Sequence, residues 1–199
     1  KTIDASTTSA GKGMVTIASG SSVEGTVALI DDVYTATTAA TPTIAGLSDK
    51  NIILTDTGIT PKSKFTVAEV NKVAGYTSGV VTATLKSSKL DDVKGITESG
   101  HNLTIELDQQ KTNADTSINR KLNAQELKGV VDKLGSAGKL TVAAAVTDID
   151  GIYSDVFGVL SSSKVTVQGD EKLGISNNIS VTEANNLDAK TSGVITATI

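Results

Sequence analysis

Three aspartates closing apolar stretches carry the first chemistry the chain offers: Asp56 in NIILTD, Asp108 in NLTIELD and Asp170 in KVTVQGD. Stacked at one edge of a sheet, such carboxylates form a column of hard oxygen ligands, and Ca²⁺ is the ion that suits them. Asp148-x-Asp150 adds two more carboxylates. There is no EF-hand loop and no GGxGxD nonapeptide, and aspartates at strand ends also cap turn amides. Calcium is the one cofactor the sequence raises; otherwise none is expected.

Other reactive types are scarce. His101 is the only imidazole, Arg120 the only arginine, and cysteine is absent. No His–His metal pair, thiolate site or disulfide can be built, and a Ser–His triad would have to form around His101. Gly11-Lys12-Gly13 lacks the spacing of a phosphate loop. Asn102-Leu103-Thr104 and Asn178-Ile179-Ser180 have the form of glycosylation sequons, a common chance tripeptide. Glu69, Glu126 and Glu183 recur every 57 residues and resemble catalytic acids in spacing. Each stands three residues after a small polar residue, Thr66, Asn123 or Ser180, which is the capping-box arrangement at a helix start. A structural task thus explains their spacing, and no catalytic residue is expected.

Threonine is the remaining chemical feature. In register, Thr16, Thr82, Thr104, Thr141, Thr166 and Thr196 would align as a ladder on the polar face of a parallel sheet, with Thr84 and Thr198 completing TxT pairs. Such a surface of hydroxyls and methyls can order water at ice, meet a glycan or pack on another sheet. Threonine is also an ordinary outward residue in strands.

The elements that must position these residues come from internal repetition. FTVAEVNKVAGYTSGVVTATL (Phe65–Leu85) aligns without a gap with ISVTEANNLDAKTSGVITATI (Ile179–Ile199) at an offset of 114, and Leu122–Val146 lies midway. Ile30-Asp31-Asp32-Val33, Leu90-Asp91-Asp92-Val93 and Ile149-Asp150-Gly151-Ile152 recur at offsets of 60 and 59, each followed by one of the strands that ends in aspartate. Ser9-Ala10-Gly11-Lys12 before MVTIA echoes Ser136-Ala137-Gly138-Lys139 before LTVAA. The chain divides into a degenerate partial repeat (1–29), a half-unit (30–64), two full repeats (65–121 and 122–178) and a terminal half-unit (179–199), all in one domain.

Each capped segment carries apolar residues at helical spacing: Val67/Val70/Val73, Ala124/Leu127/Val130 and Val181/Ala184/Leu187. Ser78-Gly79, Ala137-Gly138 and Ser192-Gly193 are expected to stop these helices. Strands follow with one apolar and one polar face, as in VVTATL and NLTIEL. Helix then strand, every 25–30 residues or so, requires parallel strands joined by crossovers. The expected fold is α/β: a right-handed parallel solenoid of short helices and strands, with a parallel β-helix as the alternative.

Composition narrows function. Ser and Thr make up about a quarter of the 199 residues, aromatics 3%, and the net charge is −4. The chain lacks a basic stripe for nucleic acid and any apolar run of membrane-spanning length. It opens at Lys1 rather than Met, which reads as a processed product or an excised piece. TSGVVTATL and TSGVITATI, preceded by VAEVNKV and VTEANNL, resemble the long secreted repeat proteins of cyanobacteria and other Gram-negative bacteria, S-layer-like or adhesin-like. That resemblance implies secretion to the cell surface and a structural or adhesive role, often calcium-associated.

The expectation is a non-enzymatic subunit of an extracellular filament, sheath or surface layer whose partners are copies of itself. An uncapped solenoid end exposes core and strand edge, so Val194, Ile195 and Ile199 at one end and Ile3, Val15 and Ile17 at the other form the expected assembly interface. The alternative is a surface-binding module that meets glycan or ice through the threonines. A secreted lyase on a β-helix is a weaker third reading, because Arg120 has no evident acidic site beside it.

Overall fold

A computed structural model describes residues 15–38, 44–55, 64–85, 89–108 and 121–199. The elements run β1 Val15–Thr16, β2 Ser22–Gly25, α1 Val27–Thr38, β3 Ile44–Ala45, β4 Asn51–Leu54, α2 Val67–Ala74, β5 Val81–Thr84, α3 Leu90–Val93 and β6 Asn102–Leu107. They continue β7 Lys121–Asn123, α4 Ala124–Lys133, β8 Lys139–Val142, β9 Asp148–Gly151, α5 Tyr153–Ser161, β10 Val165–Thr166, β11 Lys172–Asn178, α6 Val181–Asp188 and β12 Ile195–Thr198. Every strand pairing among them is parallel. The protein is α/β with all-parallel sheets.

The strands fall into columns. One sheet has the order β10-β8-β6-β5-β4-β2, a second β12-β11-β9-β7, and β1 pairs with β3 apart from both. Within each large sheet the spatial order is the chain order. Helices stack the same way, with α1 on α2, α3 on α4, α4 on α5 and α5 on α6. Helix starts at Val67, Ala124 and Val181 keep the 57-residue spacing, and α3 and α5 start between them. The sequence period therefore covers two helices with the strands between them.

Alternation sets the core. Val81, Ala83 and Leu85 are buried while Thr82 faces solvent, and Leu103, Ile105 and Leu107 are buried beneath exposed Thr104 and Glu106. Burying one Ile or Leu side chain contributes about 1.5–3 kcal/mol. Helices supply the opposite wall through Val70 and Val73 of α2, Leu127 and Val130 of α4, and Leu187 of α6. Val181, expected on that wall, is exposed instead.

Two capping boxes form as expected. Thr66 Oγ1 accepts from the Glu69 amide at 3.3 Å while the Glu69 carboxylate accepts from the Thr66 amide at 2.8 Å. Ser180 and Glu183 repeat this at 3.2 and 2.8 Å, and the hydrogen bonds that the Ser180 amide and hydroxyl donate to the Glu183 carboxylate hold it below its usual pKa. The third box is a correction. Asn123 Oδ1 does accept from the Glu126 amide at 3.1 Å, but the Glu126 carboxylate reaches Lys94 at 2.8 Å, next to α3. Ser180→Ala and Asn123→Ala should each cost about 1 kcal/mol. Glu126→Ala should cost less, about 0–1 kcal/mol, because it removes only a surface ion pair. Urea denaturation of the three variants separates these cases.

Two further expectations are corrected. The expected stop glycines Gly79, Gly138 and Gly193 lie beyond the helix ends, which fall at Gly75 for α2, Leu134 for α4 and Ala189 for α6. Ile149-Asp150-Gly151-Ile152 is not the counterpart of the IDDV and LDDV helices, which form part of α1 and α3. It is strand β9 with the N-cap of α5, because Ile149 alternates with Asp148 and Asp150 and only Ile149 is fully buried.

Candidate functional site

The TSG motif is the most developed local structure. Thr77 Oγ1 donates to the Lys50 carbonyl at 2.6 Å and accepts from the Gly79 amide at 2.9 Å. The Ser78 amide donates to the Ser48 carbonyl at 2.8 Å. In the second copy Thr191 Oγ1 donates to the Glu171 carbonyl at 2.7 Å and accepts from Gly193 at 2.9 Å, and the Ser192 amide reaches the Gly169 carbonyl at 2.8 Å. A Cβ on Gly79 or Gly193 would collide with the Lys50 or Glu171 carbonyl. The motif clips each strand start to the preceding one, and only glycine lets the two backbones approach. Its recurrence in both copies was the signal for this contact.

The buried polar groups sit at these strand starts. Lys50, Glu171 and His101 are buried immediately before β4, β11 and β6. Lys50 Nζ meets Asp49 at 2.6 Å, and the Glu171 carboxylate accepts from the amides of Gln168 and Gly169 at 2.7 and 2.9 Å. His101 Nδ1 accepts from the Val81 amide at 3.1 Å, while its Nε2 is buried without a hydrogen-bond partner. Burial pushes its pKa down, opposed in part by Glu98. The imidazole lies within the inner face of the sheet, where a solvent-borne substrate does not reach it.

The threonines do not form one ladder. Thr16 is in the β1–β3 pair, and Thr196 and Thr198 are in the four-stranded sheet. Thr82, Thr84, Thr104, Thr141 and Thr166 share the six-stranded sheet but occupy three rows. Thr82 stands beside Ile53 and Asn102, Thr84 beside Thr104, and Thr141 between Glu106 and Thr166. The carboxylate column is similarly dispersed. Asp108 and Asp170 follow β6 and β10, which are separated by β8, and Asp56 lies outside the described residues. Among the described residues no group of three or more His, Cys, Asp or Glu is placed to hold a metal ion. Asn102 of the first sequon uses its Oδ1 to accept from the Ala137 amide at 3.1 Å.

The expected assembly residues fare differently. Ile3 lies outside the described residues. Val15, Val194 and Ile199 are exposed, and Ile17 and Ile195 are half-buried. The 114-residue offset provides an internal comparison for the C-terminal set. Leu85 is 1% exposed, and its counterpart Ile199 is 68% exposed. Val81 and Ala83 are buried, whereas Ile195 and Ala197 are half-buried; Val67 and Val80 are half-buried, whereas Val181 and Val194 are 63% and 65% exposed. The same sequence is covered in one copy, where β6 lies on β5, and open in the other.

No family model matches this chain, and no curated protein or solved structure does. The site therefore rests on its own geometry. Of the six large hydrophobic residues exposed among the described residues, Val15 and Leu29 belong to the first elements and Val181, Val194 and Ile199 to the last; Ile152 alone lies between.

Proposed function

We propose that this chain is a non-enzymatic structural protein, a right-handed parallel α/β solenoid with two turns per 57-residue repeat that assembles end to end. The chain-order strand columns support the solenoid, and the strong right-handed preference of parallel crossovers supports its hand. The exposed apolar side chains Val15, Leu29, Val181 and Val194 support contact between copies. Composition and the TSGVVTAT-type resemblance support an extracellular filament, sheath or surface layer as the setting.

The test is direct. Purified chain examined by sedimentation velocity across rising concentration, with negative-stain microscopy of the concentrated sample, should shift from monomer to filaments or rings. A single monomeric species throughout overturns the proposal.

A further inference from the structure

We propose that Tyr34 and Tyr76 form an oxidative cross-linking site, at which a peroxide-driven one-electron oxidant joins the two rings as dityrosine and fastens α1 to the end of α2. The chain has three tyrosines. Two of them, far apart in sequence, stack with ring centroids 5.3 Å apart and planes 16° from parallel. Both rings are held in place. Tyr34 lies in α1, 6% exposed, and its hydroxyl donates to the Leu47 carbonyl at 3.0 Å. Tyr76 follows the C-cap of α2; its amide donates to the Val73 carbonyl at 3.1 Å and its hydroxyl donates to Asp31. Asp31 is held in turn by Lys72 at 2.8 Å. Packing alone does not require two phenols, as the Tyr153–Phe157 stack shows at 5.4 Å and 14°. Radical coupling does require two, side by side.

The arrangement supplies each part of the step. Lys72 and the Tyr76 hydroxyl hold the Asp31 carboxyl below its usual pKa, so at neutral pH it is ionised and able to accept a proton. Tyr76 gives up an electron to the oxidant while its phenolic proton passes to Asp31, the base its hydroxyl already meets. Tyr34 gives up a second electron and releases its proton to solvent. A cavity of about 480 Å³ beside the pair, lined by Tyr34, Thr37, Ile44, Leu47, Ser48 and Tyr76, brings a small oxidant close. The two phenoxyl radicals combine in a carbon–carbon bond between ring carbons ortho to the oxygens. The hydrogens on those carbons move to the oxygens and restore both phenols, and Asp31 returns its proton to solvent. Two electrons and two protons have left, which cleaves one peroxide bond; with hydrogen peroxide the products are two water molecules. The new bond closes a loop containing β3, β4 and α2, and closure of this kind removes conformations from the unfolded chain.

The test treats dilute full-length protein with persulfate and a light-activated ruthenium complex, a peroxide-driven one-electron oxidant. Dityrosine fluorescence, peptide mass mapping and denaturing electrophoresis follow, with circular dichroism to confirm that each variant is folded. Wild type should give a Tyr34–Tyr76 linked peptide pair, two hydrogens lighter than its parts, within single chains. Its melting temperature should rise by about 10 °C. Tyr34→Phe and Tyr76→Phe should lose the intrachain signal, while Tyr153→Phe keeps it. Asp31→Asn, which keeps the shape and removes the proton acceptor, should couple more slowly. Folded wild type that oxidises without the Tyr34–Tyr76 bond, or that couples no better than the same protein in urea, overturns the proposal. A cross-linked chain that melts no higher than the untreated one overturns the fastening role, and an unchanged rate in Asp31→Asn overturns the part given to Asp31.

Discussion

Gly79→Ala is expected to destabilise the protein by about 2–4 kcal/mol, combining overpacking against a backbone with a strained hydrogen bond. The added methyl would meet the carbonyl carbon and oxygen of Lys50 and the nitrogen of Asn51. All three are main-chain atoms held in β4 and the turn before it, so no flexible side chain can yield. Moving the backbones apart would also weaken the 2.6 Å bond from Thr77 to Lys50 and the pairing of Ile52 with Val80. Gly129 provides the control. It lies inside α4 on an exposed face, where an added Cβ meets nothing within 4 Å. Gly129→Ala should therefore stabilise by about 0.5–1 kcal/mol, the ordinary gain of alanine over glycine in a helix. Chemical denaturation of both variants reads the contrast. Equal and small effects would mean that the TSG glycine is not the point where the strands are clipped.

The second large effect concerns pH. His101 is 6% exposed, and its Nδ1 serves as acceptor for the Val81 amide, which places the proton of the neutral ring on Nε2. Protonation would turn Nδ1 into a donor facing a donor and place a charge in the core. The folded protein thus holds the pKa below the usual 6.5, so the unfolded chain binds the proton first. Stability should be full above about 6.5, fall as pH drops from there toward the lowered folded value, and level off beneath it. The carboxylates with lowered pKa, Asp31, Asp49, Asp91 and Glu183, have ordinary values of 3.8 to 4.5, so their contribution is lost only at more acid pH. His101→Leu should cost about 1–3 kcal/mol at pH 7, because the Val81 amide loses its acceptor. Its melting temperature should then stay flat between pH 7 and about 5 while that of wild type declines. Parallel melting slopes for the two proteins would show that the imidazole is not the acid-sensitive group.

Much of this architecture was legible in the sequence because it depends on local signals. The Thr66–Glu69 and Ser180–Glu183 boxes and the alternation of VVTATL and NLTIEL each specify an element within a few residues, and the 57-residue spacing fixes their succession. What escaped depends on neighbours. Lys121–Asn123 and Lys172–Asn178 carry few apolar side chains, and they are strands because β9 lies between them. The threonine ladder failed because equal position within a motif is not equal register between strands: TSGVVTATL joins one sheet and TSGVITATI the other. Gly100-His101-Asn102 has the local composition of a turn, and only the pairing of β5 with β6 sets His101 against the Val81 amide, on the inner side.

Strands and helices stack in the order in which they are synthesised, with consequences for how the chain behaves under tension. Each strand of the two large sheets pairs with its neighbours in chain order, so no distant pairing must be found before the structure can grow. Folding can begin at any well-capped segment and spread in both directions. Pulled from its two termini, such a stack would lengthen by shedding strands from an end, with the TSG contacts of Thr77 and Thr191 among the points that resist. The internal strands would stay paired while the outermost ones came and went, so extension would be graded rather than all-or-none.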